Sequence, residues 1–526
     1  MRIAVAVAAV CWSVAGVAIA ASPSDTEGYE QPAARRDGEG QGPFQRLIID
    51  GALLIDGTGV PARGPVSIVI EGNRIAAIES SSSASKTRQA SDKVIDARGK
   101  YVLPGFIDTH VRILDPVGQG VIPPDYALKL MLAHGITAAA SMNFGPLEGV
   151  PVSWALELQK RAASNSVVSP RLQVWFDAGR LQSPQQARQL MRKAQGLGIR
   201  GIGEGTLAGS PETVRAALDE VRKLGMLSHL HMQLGQCPSF NALDAARAGL
   251  NALTHWYCLP ETMFEGQGLQ RYPTDYNSAD VRSRFRQSGR LWKQAAKPYS
   301  ERWNKVLDEF LSLGFTFEPT FSVYEANRDV MGSRRAEWHV DYLHPSLERV
   351  YTPSPDGLFA HFYDWSSTDE AEWKENFRLW MAFVNEYKNR GGRVIAGADS
   401  GYMWTVFGFS FIRNLEMLEE AGFTPLEAIS TATSNSAEYL GWNDIGSVQV
   451  GKLADLIVVD RNPLENLKVF YGTGFDSLLP DGTVGKAGGV VYTVKDGIVY
   501  DAKRLLADVK ELVRLARAAK INATNK

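Results

Sequence analysis

Apolar residues in the first hundred positions come in short runs separated by turn signals. Asp-Gly and Gly-Asn pairs, which favour tight β-hairpin turns, lie between these runs. The pattern therefore predicts short strands paired in a small sheet. The runs are Arg46–Asp56, Val66–Ile70, Ile75–Ile78 and Val94–Val102.

From about residue 104 the rhythm changes to an apolar strand, a polar turn and an amphipathic helix, repeated along the chain. A block of successive βα steps favours a (β/α)8 TIM barrel over an open doubly wound sheet. The open sheet would usually carry a glycine-rich phosphate turn directly after a strand, and neither GxGxxG nor GxxxxGK follows a predicted barrel strand in this sequence. The predicted strands are Gly105–Val111, Ile136–Ser141, Arg171–Phe176, Gly198–Glu204, Met226–His231, Ala252–His255, Thr316–Thr320 and Arg393–Asp399.

Short β runs return after the barrel pattern, in Gly446–Asp460 and in Val490–Tyr500, where Asp496-Gly497 marks a hairpin turn. The simplest arrangement is an α/β fold with a (β/α)8 TIM barrel inserted in a small composite β-sandwich built from N- and C-terminal segments. The predicted division is a signal peptide (1–21), a disordered leader (22–45), the sandwich (46–103 plus 440–503), the barrel (104–439, with insertions 256–315 and 321–392) and a helical tail (504–526).

The first twenty-one residues differ from the rest of the chain. Arg2 precedes an apolar run that ends in Ala18-Ile-Ala20-Ala21, and a basic start, an apolar centre and an Ala-x-Ala ending are typical of a secretory signal peptide. An uncleaved membrane anchor is the alternative, although the apolar run is marginal in length. Cleavage predicts a secreted or periplasmic protein, in which Cys237 and Cys258 remain and could form a disulfide.

The charge balance gives no sign of a nucleic-acid or membrane partner. The 526 residues include 56 Lys and Arg against 58 Asp and Glu, a formal net charge of −2. Such a balance creates no global field that would attract a polyanion or an anionic bilayer. We therefore expect a small-molecule substrate as the partner, and the sequence leaves the oligomeric state open.

Histidines and carboxylates fall at the carboxyl ends of several predicted barrel strands. The chain has only 8 histidines, and half of them lie at these ends, where barrel enzymes place their chemistry. A single histidine there would as readily be structural, whereas a set at one rim indicates a site for a divalent cation such as zinc, which takes imidazole and carboxylate ligands. The set comprises His110, Glu204, His229, His231, His255 and Asp399.

Two predicted connections, 256–315 and 321–392, are too long for plain barrel loops. Both are rich in aromatic residues and follow strands on the catalytic side of the barrel. They would form a lid or a substrate wall. The alternative, favoured for most of the aromatic residues, is that they pack against helices of the insertions.

The first barrel strand reads Pro104-Gly-Phe-Ile-Asp-Thr-His110-Val-Arg112. It resembles the first strand of the amidohydrolase superfamily, Pro-Gly-Phe-Ile-Asp-x-His-x-His. The similarity extends over about residues 46–500 and looks nearest to the imidazolonepropionase- and prolidase-like members. The other segments that resemble superfamily motifs are Gly135-Ile-Thr137, Gly249–His255, Ala396-Gly-Ala-Asp399, Ala432–Gly441 and Gly451-Lys-Leu-Ala-Asp-Leu456.

This resemblance implies hydrolysis of an amide or cyclic amide C–N bond by a metal-activated water, with a dipeptide or an N-acyl amino acid as the kind of substrate. Members of the superfamily bind up to two cations, at positions called alpha and beta. The beta ligands implied here are Glu204, His231 and His255, which would hold one zinc ion. His229 would instead contact the substrate or neighbouring groups.

Arg112 departs from the superfamily motif, because it stands where the second histidine would ligate the alpha cation. A guanidinium offers no lone pair and repels a cation, so we expect a mononuclear centre at the beta position. Arg112 would then pair with Asp399 or with a carboxylate or phosphate of the substrate. Asp399 would serve as the general base, and His110 would steady Asp399 or the oxyanion.

Two alternatives to this amide hydrolase remain open from the sequence. The first is a catalytically degenerate centre on the same fold, acting as a binding protein. The second is a deaminase or lactonase reaction on the same scaffold.

Overall fold

The computed structural model of this protein describes residues 30–83, 88–113, 121–143, 150–203, 208–232, 237–266, 270–277, 280–355, 357 and 359–524. The predicted signal peptide, residues 1–21, and the predicted ligand Glu204 lie outside the described residues. The strands are β1 (Arg46–Leu54), β2 (Arg63–Glu71), β3 (Arg74–Ser80), β4 (Lys93–Asp96), β5 (Tyr101–Pro104), β6 (Phe106–Val111), β7 (Ile136–Asn143), β8 (Arg171–Phe176), β9 (Gly201–Gly203), β10 (Leu227–Leu230), β11 (Ala252–Thr254), β12 (Thr316–Glu318), β13 (Arg393–Val394), β14 (Leu456–Val459), β15 (Phe475–Leu478), β16 (Val484–Ala487), β17 (Val490–Lys495) and β18 (Ile498–Asp501).

Helices alternate with the barrel strands and fill the long connections. The α-helices are α1 (Pro124–Ala133), α2 (Val150–Ala163), α3 (Pro184–Gly196), α4 (Pro211–Lys223), α5 (Ala242–Arg247), α6 (Val281–Ser288), α7 (Glu301–Ser312), α8 (Phe321–Arg328), α9 (Val330–Arg334), α10 (His339–Tyr342), α11 (Pro345–Tyr351), α12 (Ser367–Asn389), α13 (Phe409–Glu420), α14 (Pro425–Thr431), α15 (Ser434–Leu440) and α16 (Ala502–Thr524). Short 3-10 turns cover Pro260–Met263, Trp292–Gln294, Ala360–Phe362 and Leu467–Phe470.

Strands β6 to β13 form a parallel sheet in which each strand pairs with the next one along the chain. Backbone hydrogen bonds also join its outer strands, because the Thr109 N–H donates to the Ala396 carbonyl and the Asp399 N–H donates to the His110 carbonyl, both at 3.0 Å. This curled parallel sheet is the TIM-barrel-like arrangement that the βα rhythm predicts.

The observed barrel strands agree in place with the predicted ones but several are shorter. The predicted strand Arg393–Asp399 keeps ladder pairing only over Arg393–Val394. Beyond it the chain turns, and Asp399 adopts a φ of 46°, a left-handed conformation that is uncommon for a residue other than glycine. The turn therefore places a carboxylate at the carboxyl end of the sheet.

The N- and C-terminal strands pair in one composite sheet, with the order β18-β17-β14-β5-β1-β2-β3 and β4 on β1. Strand β14 joins the two halves, since it pairs antiparallel with both β5 and β17. A hydrophobic cluster of its own stabilises this sheet. The composite origin of the sheet is as predicted, whereas the two-layer sandwich is not confirmed.

Buried charges join the composite sheet to the barrel. An Arg171 guanidinium nitrogen at the start of β8 lies 2.6 Å from an oxygen of Asp496 and 3.5 Å from one of Asp455. Asp455 also accepts the Asp496 N–H, at 2.8 Å. The aspartate of the Gly-Lys-Leu-Ala-Asp segment thus has a structural role, because it holds the two sheets together far from the carboxyl ends of the barrel strands.

Residues 30–45, which the sequence predicts as part of a disordered leader, instead make contacts with folded elements. The Arg35 N–H donates to the Ser166 carbonyl at 2.8 Å, and Gln41 bridges to Val499 of β18.

The C-terminal tail forms helix α16, whose apolar side chains Leu506 and Val509 are buried. Among the described residues, no helix is long and apolar enough to span a membrane.

Candidate active site

Histidines and carboxylates from five barrel strands meet at the carboxyl end of the sheet. They are almost fully buried, with side chains from 0% to 6% exposed. Each residue ends its strand or follows it closely, so strand geometry fixes its backbone. The residues are His110 on β6, His229 on β10, His255 after β11, Glu318 on β12 and Asp399 after β13.

Glu318 lies at the centre of this cluster. Its Oε2 atom is 2.9 Å from Nδ1 of His110 and 2.8 Å from Nε2 of His229. The Thr254 hydroxyl donates to Oε2 at 2.8 Å, and the Thr109 hydroxyl donates to Oε1. Burial alone would raise the pKa of the Glu318 carboxyl, but His229 and His110 hold that pKa well below its usual value. The carboxylate is therefore ionised and surrounded by donors.

Sequence reasoning missed Glu318, although a signal for it was present. It lies inside the predicted strand Thr316–Thr320, yet the carboxylates in the set predicted from the sequence are only Glu204 and Asp399. An ionisable residue in a short apolar strand is unusual, because a buried carboxylate must be compensated. That signal was sufficient to add Glu318 to the candidate set.

Arg112 pairs with Asp399, as one of the two sequence-based alternatives predicts. Its Nε atom lies 3.2 Å from Oδ1 of Asp399, and its guanidinium stacks on the Tyr402 ring at 4.1 Å from the centroid. Asp399 is also approached by Nε2 of His110 at 3.4 Å and by Nε2 of His255 at 3.7 Å. The carboxylate therefore has one guanidinium and two imidazoles around it.

His255 and His231 form the outer part of the cluster, with ring centroids 5.7 Å apart. His255 Nδ1 contacts the Thr320 hydroxyl, so its Nε2 is directed to Asp399. Burial lowers the pKa of His255 to about 3. Burial, followed by the neighbouring His255, lowers the pKa of His231 well below its usual value. Both rings are therefore neutral, the form that ligates metals.

His110 differs from these two histidines in the direction of its pKa shift. Burial alone would lower its pKa, but Asp399 and Glu318 outweigh burial and raise it. Its two ring nitrogens face different carboxylates, with Nδ1 toward Glu318 and Nε2 toward Asp399. His110 therefore links the two carboxylates of the site.

Asp108, from the Pro-Gly-Phe-Ile-Asp segment, holds the strand that carries His110. One of its carboxyl oxygens accepts the His110 N–H at 3.0 Å and the Ala398 N–H at 3.1 Å. Burial raises the pKa of Asp108 to about 8. This residue thus joins β6 to the turn before Asp399 and fixes the spacing of the two functional side chains.

The structure brings most of the predicted site residues together. His110, Arg112, His255 and Asp399 are mutual neighbours, and His231 is adjacent to His255. His229 lies deeper, against Glu318. Within the described residues, the group whose ligand atoms all lie within 4.8 Å of one another is His110, His229 and Glu318.

Aromatic residues of the two insertions are mostly buried, as the packing alternative predicts. Trp256, Trp292, Trp303 and Trp373 are at most 1% exposed. Tyr257 and Tyr324 differ from the others in their position, because both rings contact His255, with centroids at 5.6 and 5.2 Å. The Tyr324 hydroxyl donates to the Tyr257 hydroxyl at 2.8 Å. These two tyrosines form part of the wall of the site.

A disulfide between Cys237 and Cys258 joins the segments that follow β10 and β11. Cys258 is three positions beyond His255, and Cys237 is six positions beyond His231. The bond therefore ties together the chain segments that carry the outer two histidines.

We expect the Cys237→Ser/Cys258→Ser double variant to be less stable than the wild type by about 2–4 kcal/mol, because the cross-link restricts the unfolded chain. Guanidinium unfolding of both proteins, with and without reductant, measures this difference. The wild type should lose stability on reduction and the double variant should not change. Equal stability of the oxidised wild type and the double variant would contradict this prediction.

Known proteins share parts of the sequence and the fold of this chain. The sequence model described as Amidohydrolase family matches residues 101–255 and 380–499. Adenine deaminase 2 of Rhizobium johnstonii is 34% identical over 121 residues, which is 22% of this chain and 19% of that protein. The chain therefore matches only about a fifth of the length of this curated relative.

Solved structures are similar over most of the chain. A Xaa-Pro dipeptidase with bound methionine in the active site has a TM-score of 0.56 and 19% identity, covering 87% of this chain and 100% of the other. Bottromycin amidohydrolase has a TM-score of 0.59 and 17% identity, covering 93% and 92%. At these identities the similarity shows the fold alone. The family match omits residues 256–379, the part of the chain that contains Glu318.

Proposed function

Because this chain belongs to the amidohydrolase family, we propose that it is a secreted, metal-dependent hydrolase that cleaves the C–N bond of a small amide or cyclic amide. The observation that carries this proposal is the buried cluster of imidazoles and carboxylates at the carboxyl end of the barrel. Barrel enzymes perform their chemistry at this end. A dipeptide or an N-acyl amino acid is the substrate class that we favour.

The residues of the cluster fit a divalent cation. Imidazole nitrogen and carboxylate oxygen are ligands that zinc takes in proteins, and His110, His229 and Glu318 offer both kinds of atom within 4.8 Å of one another. The set implied by family resemblance, Glu204 with His231 and His255, is the competing assignment. When bound, the cation would lower the pKa of a water and polarise the scissile carbonyl.

Asp399 is the group that we assign as general base. Its carboxylate accepts a proton from the water whose oxygen attacks the carbonyl carbon, and it returns that proton to the amine nitrogen as the C–N bond breaks. Arg112 holds this carboxylate in place through the ion pair at 3.2 Å. His110, at 3.4 Å, steadies it from the side of the cluster interior.

Arg112 supports a single cation in this centre. Its guanidinium lies beside Asp399. In the sequence, Arg112 stands at the position of the second histidine of a His-x-His pair, and its permanent positive charge opposes a second cation.

Secretion is supported by the signal-like N-terminus and by the Cys237–Cys258 disulfide, since disulfides persist in oxidising compartments.

Metal analysis and a substrate panel test this proposal. We expect purified protein to hold about one divalent cation per chain, and we expect a chelator to abolish hydrolysis and added zinc to restore it. The panel contains dipeptides, N-acyl amino acids, cyclic amides, lactones and nucleobases. Protein without metal and without turnover would support a binding protein instead, and turnover limited to lactones or nucleobases would support the lactonase or deaminase alternative.

A further inference from the structure

We propose that Glu318 is the carboxylate ligand of the metal centre, together with His110 and His229. This inference rests on the proposed function, because it concerns the cation of the same site. It replaces the assignment of Glu204, His231 and His255, and it places the ligands on β6, β10 and β12.

The three side chains converge on one point. A single oxygen of Glu318 lies 2.9 Å from a nitrogen of His110 and 2.8 Å from a nitrogen of His229. All three side chains are 0% exposed. Two imidazoles and one carboxylate, with one further position for water or substrate, make up the ligand number of a catalytic zinc site.

His229 has unused coordinating capacity. Both of its ring nitrogens are buried, and neither makes a hydrogen bond of acceptable geometry in the described part of the chain. Its Nε2 is nevertheless 2.8 Å from the Glu318 carboxylate. A buried polar atom without a hydrogen bond is costly and often marks the place of an ion or water. A cation shared with Glu318 would satisfy this imidazole.

Glycine residues leave the space that the Glu318 carboxylate occupies. A Cβ atom at Gly397 would lie 2.0 Å from Oε1 of Glu318 and 2.6 Å from Cβ of His110. Gly203, the β9 residue in register with His229, also adds no side chain. The absence of side chains at these positions allows a carboxylate from β12 to reach the interior between His110 and His229.

Glu318 differs from Asp399 in its charged neighbours. Asp399 has Arg112 as its partner, whereas no lysine or arginine forms an ion pair with Glu318 among the described residues. Buried carboxylates in proteins are paired or coordinate metals. The hydroxyls of Thr109 and Thr254 donate to it and hold it in one orientation, as outer partners do for metal-ligating carboxylates.

The test is the metal affinity of four variants, measured by isothermal titration of the metal-free proteins with zinc. Glu318→Gln keeps the shape of the side chain and should weaken zinc binding at least about 100-fold, more than the loss of an outer partner of a ligand. Glu318→Asp should bind zinc with intermediate affinity. Glu204→Gln should bind as the wild type does. Glu261→Gln, which alters a half-buried glutamate outside the cluster, is the control and should also bind normally.

Thermal unfolding gives a second measurement that does not depend on activity. Zinc should raise the Tm of the wild type and of Glu261→Gln, because it binds the folded state, and should leave the Tm of Glu318→Gln unchanged. Wild-type zinc affinity in Glu318→Gln, or loss of zinc in Glu204→Gln alone, would overturn the assignment of Glu318 and leave the proposed function intact. A wild type that binds no metal would instead overturn the proposed function.

Discussion

Asp399→Asn is expected to lower kcat by about 10²–10⁴-fold while metal content stays near that of the wild type. The amide has nearly the shape of the carboxylate, but it cannot take a proton from the attacking water. Asp399 is not among the three residues that we assign as ligands, so the variant should keep its cation. Its φ of 46° is tolerated by asparagine, which visits the left-handed region more readily than most residues.

Steady-state kinetics on the best substrate of the panel, combined with elemental analysis, measure both parts of this prediction. Asp444→Asn is a suitable control, because Asp444 is exposed and pairs with Arg74 at 3.5 Å outside the cluster. If Asp399→Asn lost its metal as well as its activity, Asp399 would be assigned as a metal ligand instead of the base. Activity near that of the wild type would remove Asp399 from the role of base.

The architecture of the barrel could be predicted from the sequence because it depends on local periodicity. The predicted strand Arg171–Phe176 is observed with the same bounds, and the junction after β5 lies at Pro104 and Gly105. The end of the last barrel strand could not be predicted from local pattern. Arg393–Asp399 reads as one apolar strand, but its second half bonds to Asp108 and to the backbone of β6 instead of extending the ladder.

The site could be predicted in part, for a related physical reason. Sequence pattern identifies which side chains end strands, and it found His110, Arg112, His255 and Asp399. It does not show which of the two histidines, His229 or His231, points to a given carboxylate. The contact of His229 with Glu318 joins residues from β10 and β12, which are distant along the chain. Such a contact depends on tertiary packing.

The second large effect concerns Arg112, the residue that departs from the His-x-His motif. We expect Arg112→Ala to lower kcat/KM by roughly 10²–10³-fold, because removal of one member of a buried ion pair leaves the other charge uncompensated. Arg112 and Asp399 side chains are 8% and 6% exposed, so solvent would compensate Asp399 poorly. Arg112→Lys should lose less, because it keeps the charge and loses the planar stacking on Tyr402.

Kinetics of both variants and of Arg74→Ala, whose side chain is 48% exposed, measure this effect. If Arg112→Ala retained wild-type kcat/KM, His110 and His255 alone would be sufficient to position Asp399, and Arg112 would serve only to exclude a second cation. The order wild type, Arg112→Lys, Arg112→Ala would instead assign Arg112 to the general base. Arg112, which we propose opposes a second cation, would then also supply the charge that holds Asp399 in place. This double role would explain how the proposed one-cation centre is active without the second histidine.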